Sequence, residues 1–242
     1  MVRSAGFIVS ALVALLTGSP AAFAEPPAPP APIIPPPVQP ANIGELKFSA
    51  IDYYNSGAYL TDLQIAAAPA IAWINDEAPR VARPAVVFDI DETSLSNWEA
   101  LKANDFGRFS DGPCNNLPQG PCGLIAWDQR AQSTVIQPTM DVFTTARDRG
   151  TAIFFITGRD ETQRAATERN LKAAGYTGYT QLFMEPAGAQ YVSAADFKAP
   201  QRQKIEQRGY TIIANIGDQP SDLAGGFSER TYLLPNPFYR IP

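Results

Sequence analysis

Short, almost unbroken apolar runs recur through the chain: AVVFDI (85–90), TAIFFIT (151–157), QLFME (181–185), YTIIANIGD (210–218) and TYLLP (231–235). Amphipathic stretches lie between them at Thr139–Arg149, Asp160–Ala174 and Asp196–Gln207, with Gly150, Gly175 and Gly209 after their ends. A continuous apolar strand is one covered on both faces, and a glycine after an amphipathic stretch is a helix C-cap. Their alternation predicts an α/β fold, a three-layer sandwich around a parallel, Rossmann-like sheet. Ahead of it, Glu45–Arg80 reads as helical, with apolar positions at Ile51, Tyr54, Tyr59, Leu63, Ile71 and Ile74 and a break at Gly57.

The N-terminal 24 residues hold one Arg, an apolar stretch from Gly6 to Leu16 and Ala22-Phe23-Ala24 before Glu25. This is the order of a secretory signal. The apolar part is too short to span a bilayer, so residues 1–24 are expected to be a signal peptide rather than a stable membrane anchor. The chain is expected to be exported, to the periplasm or outside the cell. Residues 25–40, EPPAPPAPIIPPPVQP, read as a semi-rigid linker. Residues 41–242 then form the folded domain, with a cap insertion at about 96–136. The net charge of −5 carries no basic footprint for a nucleic-acid polymer. The two cysteines, Cys114 and Cys122, flank a Pro- and Gly-bearing turn, which in an exported chain favours a disulfide. Neither has Arg six positions on, which excludes a cysteine-phosphatase loop. Histidine is absent, and with it Ser-His-Asp and Cys-His nucleophiles and His-rich zinc sites.

In parallel sheets ligands bind beyond the carboxyl ends of the strands. The unusual polar residues fall there: Asp89 and Asp91 end the first run, Thr157-Gly158-Arg159 the second, and Asp218 the fourth, with Asp222 four residues on. Carboxylates gathered in one crevice repel one another unless a cation joins them. Mg2+ prefers oxygen ligands and a phosphate to complete its shell. A phosphate ester needs further donors, for which Lys198, Thr157 and the loop after Asp89 stand ready. An Asp carboxylate is a competent nucleophile for phosphoryl transfer. Three readings stay open at this level. Arg159 pairs with a site acid or lies on the surface, Lys204 competes with Lys198, and Asp222 doubles as an N-cap.

The stretch FDIDETSLSN resembles the first motif of the haloacid dehalogenase (HAD) superfamily, FFITGR the second, Phe197-Lys198 the third and NIGDQPSDL the fourth. With FFITGRDETQRAATERNLKAAGY, FKAPQRQKIEQRGY and the ending LLPNPFYRIP, the chain is similar to the acid phosphatases that include plant vegetative storage proteins and exported bacterial enzymes. The resemblance implies a Mg2+-dependent phosphomonoester hydrolase acting on a small-molecule substrate. Asp89 would be the nucleophile that forms an aspartyl-phosphate. Asp91 would be the general acid/base, its backbone carbonyl on the metal. Thr157 would hold the phosphoryl oxygens and Lys198 would balance charge. Asp218 would ligate the metal, with Asp222 acting directly or through water. The resemblance also implies that the insertion and the N-terminal helices form a cap over the crevice. A phosphotransferase using the same site and a non-catalytic storage or binding protein are the alternatives. Trp98 and Trp127 either stack on the substrate's leaving group or pack the insertion against the core.

Overall fold

The computed structural model describes residues 39–241. The expected signal peptide and residues 25–38 of the linker lie outside the described residues. Helix α1 (Ile43–Asn55) begins on Asn42, whose side chain accepts the Glu45 amide, and Gly57 at φ 83° breaks it from α2 (Ala58–Glu77). Strand β1 (Pro84–Phe88) follows. The insertion comprises β2 (Leu95–Ser96), α3 (Trp98–Ala103), α4 (Leu124–Arg130) and β3 (Thr134–Val135), with β2 and β3 antiparallel. Next come α5 (Gln137–Asp148), β4 (Ala152–Asp160), α6 (Arg164–Ala173), β5 (Gln181–Glu185), α7 (Ala194–Gln207), β6 (Thr211–Gly217), α8 (Pro220–Leu223) and β7 (Thr231–Leu233). Gly150, Gly175 and Gly209 take positive φ after α5, α6 and α7, as C-cap glycines do.

The main sheet has the order β5-β4-β1-β6-β7 and is parallel throughout. In β1 and β4 its two faces follow the two-residue period of an extended chain, and in β6 an irregularity at Ile213 shifts that period. Val86, Phe88, Phe155, Ile213 and Ile216 share one apolar cluster with the buried stripe of α2 (Tyr59, Leu63, Ala67, Ala70, Ile74) and with Val142 and Phe143 of α5. Ala85, Val87, Phe154, Ile156 and Ile212 turn to the other face and meet Phe197 and Ile205 of α7. The chain moves from β1 out to β4 and β5, then crosses back to β6 on the other side of β1. That reversal leaves a crevice at the carboxyl ends of β1 and β6, where ligands enter such sheets.

Two expectations about the periphery are now decided. Among the described residues none before Asp89 lines the cleft: α2 lies on a sheet face, and α1 meets the insertion through the stacking of Tyr54 on Trp98. The reason is the apolar stripe of α2, which gains far more by covering the sheet than by standing over a polar crevice. The insertion does form one wall of the cleft, and Cys114 and Cys122 are joined within it. Both tryptophans pack. Trp98 stacks on Tyr54 of α1 with ring centroids 3.7 Å apart and also meets Phe106 and Phe238. Trp127 is buried, and its indole N–H donates to Asn97 Oδ1 at 2.8 Å.

Because Trp98 joins α1, the insertion and the C-terminal segment, Trp98→Ala is expected to cost about 3–5 kcal/mol of stability. Urea denaturation of the purified variant measures this. A loss confined to substrate affinity would instead place Trp98 in the cleft.

Candidate active site

Strand β1 ends in a tight reversal. The Ile90 carbonyl accepts the amides of Ser94 and Leu95, both at 2.8 Å, and that of Thr93 at 3.3 Å, while Ser94 Oγ donates to the Asp89 carbonyl at 2.7 Å. Glu92 takes a left-handed φ of 55° to close the turn, a conformation rare outside glycine and common where function demands it. Ile90 is wholly buried in the main core and anchors the bend, so its neighbours Asp89 and Asp91 are both presented to the crevice. An uncharged residue between two acids is therefore the hinge of the motif.

Asp89, Asp218 and Asp222 come together at the switch point, with one carboxylate oxygen from each within 4.8 Å of the others. Lys198 of α7 reaches between them, donating to Asp89 and, at 2.6 Å, to Asp222. Burial pushes the Asp89 carboxyl well above its ordinary range; the Lys198 charge opposes this, while Asp222, Asp218 and Asp91 add to it. Asp218 is pushed up to about 7, again by burial first and by Asp222 next. For Lys198 burial works against the charge, but Asp222 and Asp89 outweigh it and hold the ammonium protonated. Asp218 is fixed from three sides: Thr93 Oγ1 donates to it at 2.8 Å, Gln219 Nε2 at 2.6 Å and Asn236 Nδ2 at 2.7 Å. Asp222 accepts the Gln219 amide at 2.8 Å and lies so close to Gly217 that a Cβ there would collide with its side chain. The N-cap of α8 is Gln219, not Asp222; Asp222 is its N3 partner in a capping box and joins the cluster as well. Fully buried Arg202, one turn after Lys198, donates to the carbonyls of Asp222, Ala224 and Gly226 and clamps that segment.

A second network holds Asp91. Arg159 is buried at the end of β4 and gives Asp91 Oδ1 a 2.6 Å bond from Nη2, while its Nε lies 3.1 Å from Oδ2. The same Nη2 lies 3.1 Å from Asp128 of α4. Burial alone would raise the Asp91 carboxyl; the Arg159 charge and bonds, with Asn97, turn the balance and lower it. Asn97 is the hub, donating to Asp91 and Glu92 and accepting from Trp127 and Ser133. Glu92 is buried and pushed up to about 7, by desolvation first and the Asp91 charge next, and accepts the Tyr239 hydroxyl at 2.7 Å.

These groups line a cleft of about 420 Å³. Of the six residues singled out in the sequence, Asp89, Asp91, Lys198, Asp218 and Asp222 line it, whereas Thr157 does not. Thr157 is completely buried and its hydroxyl oxygen accepts the Arg159 amide at 3.1 Å; Gly158 and Arg159 form the wall instead. Arg159 pairs with site acids, while Lys204 is exposed and its ammonium bonds Gln201, away from the cleft lining. The sequence reading missed Glu92, Asn97, Asp128, Arg108, Asn236 and Tyr239. Glu92 and Asn97 lie in the FDIDETSLSN stretch and Asn236 and Tyr239 in LLPNPFYRIP, so these stretches held a signal for four of them. Asp128 and Arg108 carried none.

A model of the HAD superfamily, subfamily IIIB (acid phosphatase), matches residues 38–242. The chain belongs to this family. Over 160 residues it is 33% identical to a stem 28 kDa glycoprotein of Glycine max, covering 64% of this chain and 59% of that protein. Acid phosphatase 1 of Solanum lycopersicum is 29% identical over 158 residues (64% and 58% of the two chains), and vegetative storage protein 1 of Arabidopsis thaliana 29% over 157 (64% and 55%). The chain thus spans less than two thirds of the length of these relatives. A solved class C acid phosphatase from Bacillus anthracis, with tungstate bound, superposes with a TM-score of 0.66 at 18% identity, over 82% of this chain and 86% of the other. At that identity the likeness is one of fold, and it places this subfamily IIIB chain on a parallel sheet flanked by helices.

Arg159→Met would strand two carboxylates, Asp91 and Asp128, in a poorly solvated wall. It is expected to cost about 3–5 kcal/mol in chemical denaturation. Asp128→Asn should cost a small fraction of that. Burial already holds Asp128 up to about 7, the amide can still pair with Gln163, and Arg159 keeps Asp91.

Proposed function

We propose that this chain is an exported, divalent-metal-dependent phosphomonoesterase that works through an aspartyl-phosphate on Asp89. The observation that carries the reading is the buried cluster of Asp89, Asp218 and Asp222 around Lys198 at the switch point of a parallel sheet. The donor set is oxygen only, desolvated and in excess of the cations beside it, which suits a small hard ion such as Mg2+. Asp89, Asp218 and the Asp91 backbone carbonyl would hold it, with Asp222 directly or through water. When bound, the ion neutralises the phosphoryl oxygens and polarises the phosphorus.

The chain's own groups divide the remaining work. An Asp89 oxygen attacks phosphorus while the bond to the ester oxygen breaks, and Asp91 delivers a proton to the departing alkoxide. Oδ1 of Asp91 takes Asn97 and Arg159 donors, so Oδ2, with the Arg159 Nε alone, is the oxygen that handles the proton. Asp91 then takes a proton from water, whose oxygen attacks the aspartyl-phosphate, releasing inorganic phosphate and restoring Asp89. Lys198 compensates charge on the nucleophile throughout. Thr157 stays behind the cleft wall, where its oxygen takes the Arg159 amide and so helps to set the residue that holds Asp91. The insertion between about 96 and 136 acts as the cap that selects the ester. A small-molecule phosphomonoester is the substrate class, and no described helix is long and apolar enough to cross a membrane. Export is supported by the signal-like residues 1–24 and by the Cys114–Cys122 disulfide, a bond that persists in oxidising compartments.

A phosphotransferase would share every residue and differ in letting an alcohol replace water at the aspartyl-phosphate. The storage reading is favoured by the names of the Arabidopsis relatives, and the retained Asp89 speaks against it.

Asp89→Asn is expected to abolish hydrolysis of p-nitrophenyl phosphate by a folded chain, and EDTA should abolish it in the wild type; residual turnover in the variant sinks the nucleophile assignment. Asp91→Asn is expected to slow alkyl phosphates far more than aryl phosphates, since poor leaving groups need the proton most. Equal losses measured on the two ester classes would remove the acid role from Asp91.

A further inference from the structure

Among the described residues, eight carboxylates and three cations line the cleft. Two of the cations are committed: Lys198 to Asp89 and Asp222, Arg159 to Asp91 and Asp128. The third, Arg108, comes from the loop after α3, and among the described residues it forms no ion pair. Its guanidinium carbon stands 4.6 Å from the centre of the Tyr239 ring, a contact that orients a cation without neutralising it. Tyr239 is itself held by Glu92. The Arg108 charge is felt inside the cleft, where it acts on both Asp91 and Asp128. Ser110, two residues on in the same loop, lines the same wall.

With the phosphoryl group at Asp89, the leaving group must pass Asp91 on its way to the mouth. Asp160 and Glu185 also line the cleft and repel any second negative charge. Among the described residues that line the cleft, Arg108 is the cation without an ion pair; it is exposed and rests on the Tyr239 ring. Resting on the phosphatase reading above, we propose that Arg108 docks a second anionic group, a carboxylate or a second phosphate, on the leaving-group part of the ester. The cap then selects esters whose alcohol is itself an anion. Arg108 serves this better than Lys would, because its planar fork can meet a carboxylate or phosphate through two parallel bonds.

The test compares 3-carboxyphenyl phosphate with the neutral 3-carbamoylphenyl phosphate at fixed ionic strength. Arg108→Ala is expected to lower kcat/KM roughly tenfold for the carboxylate ester, as loss of one charge-assisted pair would, and to leave the carbamoyl ester unchanged. Arg108→Lys should recover part of the loss. Equal losses on both esters would assign Arg108 to the transferred phosphoryl group or to the packing of Tyr239, and no loss on either would leave it on the surface; both results overturn the proposal. If the wild type hydrolyses neither ester, the phosphatase reading has failed, and calorimetry still decides Arg108. The metal-loaded chain should then bind 3-carboxybenzylphosphonate more tightly than its carbamoyl analogue, a preference lost in Arg108→Ala. Equal affinities, or no binding of either, overturn the assignment.

Discussion

Everything at the crevice depends on how buried carboxylates are balanced. A parallel sheet covered on both faces has an apolar interior up to the ends of its strands, and acids placed there lose their water. This protein places three at one switch point and a fourth beside them. Lys198 spans two of the four acids and Arg159 holds another, and each cation is itself delivered by an element that the sheet positions. Asp89, Asp91 and Asp218 ride on strand ends, Arg159 on a neighbouring strand and Lys198 on the helix that covers the opposite face from α2. The charge balance is thus a property of the whole three-layer assembly. Moving one layer would separate an acid from its partner and leave both ions buried and uncompensated.

The balance is incomplete by design of the residue set: the Asp89, Asp218 and Asp222 cluster holds one Lys for three carboxylates. Burial consequently lifts Asp89 and Asp218 out of their ordinary range. A site in that state has free energy to gain from a further small cation and from a ligand that brings its own oxygens. The second network differs in kind. Arg159 with Asp91 and Asp128, and Asn97 bonded on all sides, form a closed set whose effect is to aim Asp91 at the cleft. One network leaves room for an ion and the other fixes a proton carrier, and the tight turn anchored by Ile90 places them side by side.

The C-terminal segment is part of this construction. Asn236 bonds Asp218, Tyr239 bonds Glu92, and the Ile241 amide bonds Gln219. Phe238 enters the aromatic cluster of Tyr54, Tyr59 and Trp98. Substitutions in this stretch are therefore felt at the acids although none of its residues belongs to a strand-end motif.

The amino-acid order alone determined the layers, the strands and the acids. Runs such as TAIFFIT and YTIIANIGD, bounded by C-cap glycines, are local signals, and a residue's position at a strand end is local too. Asp89, Asp91, Asp218 and Asp222 could be named because burying acid next to an apolar run needs a reason that any reader of the chain can see. Lys198 was legible through its resemblance to the third HAD motif, Phe197-Lys198 with Arg202 four residues on. What only the tertiary structure decided was pairing between residues distant in the chain. Arg159 meets Asp128 through the fold of the insertion, Asn236 meets Asp218 through the return of the chain end, and α2 covers the sheet instead of the crevice because its apolar stripe finds more surface there. Such contacts have no period and no local pattern. They exist because close packing of three layers leaves each polar side chain few places to find a partner, and that choice is made by the assembly and not by any segment of it.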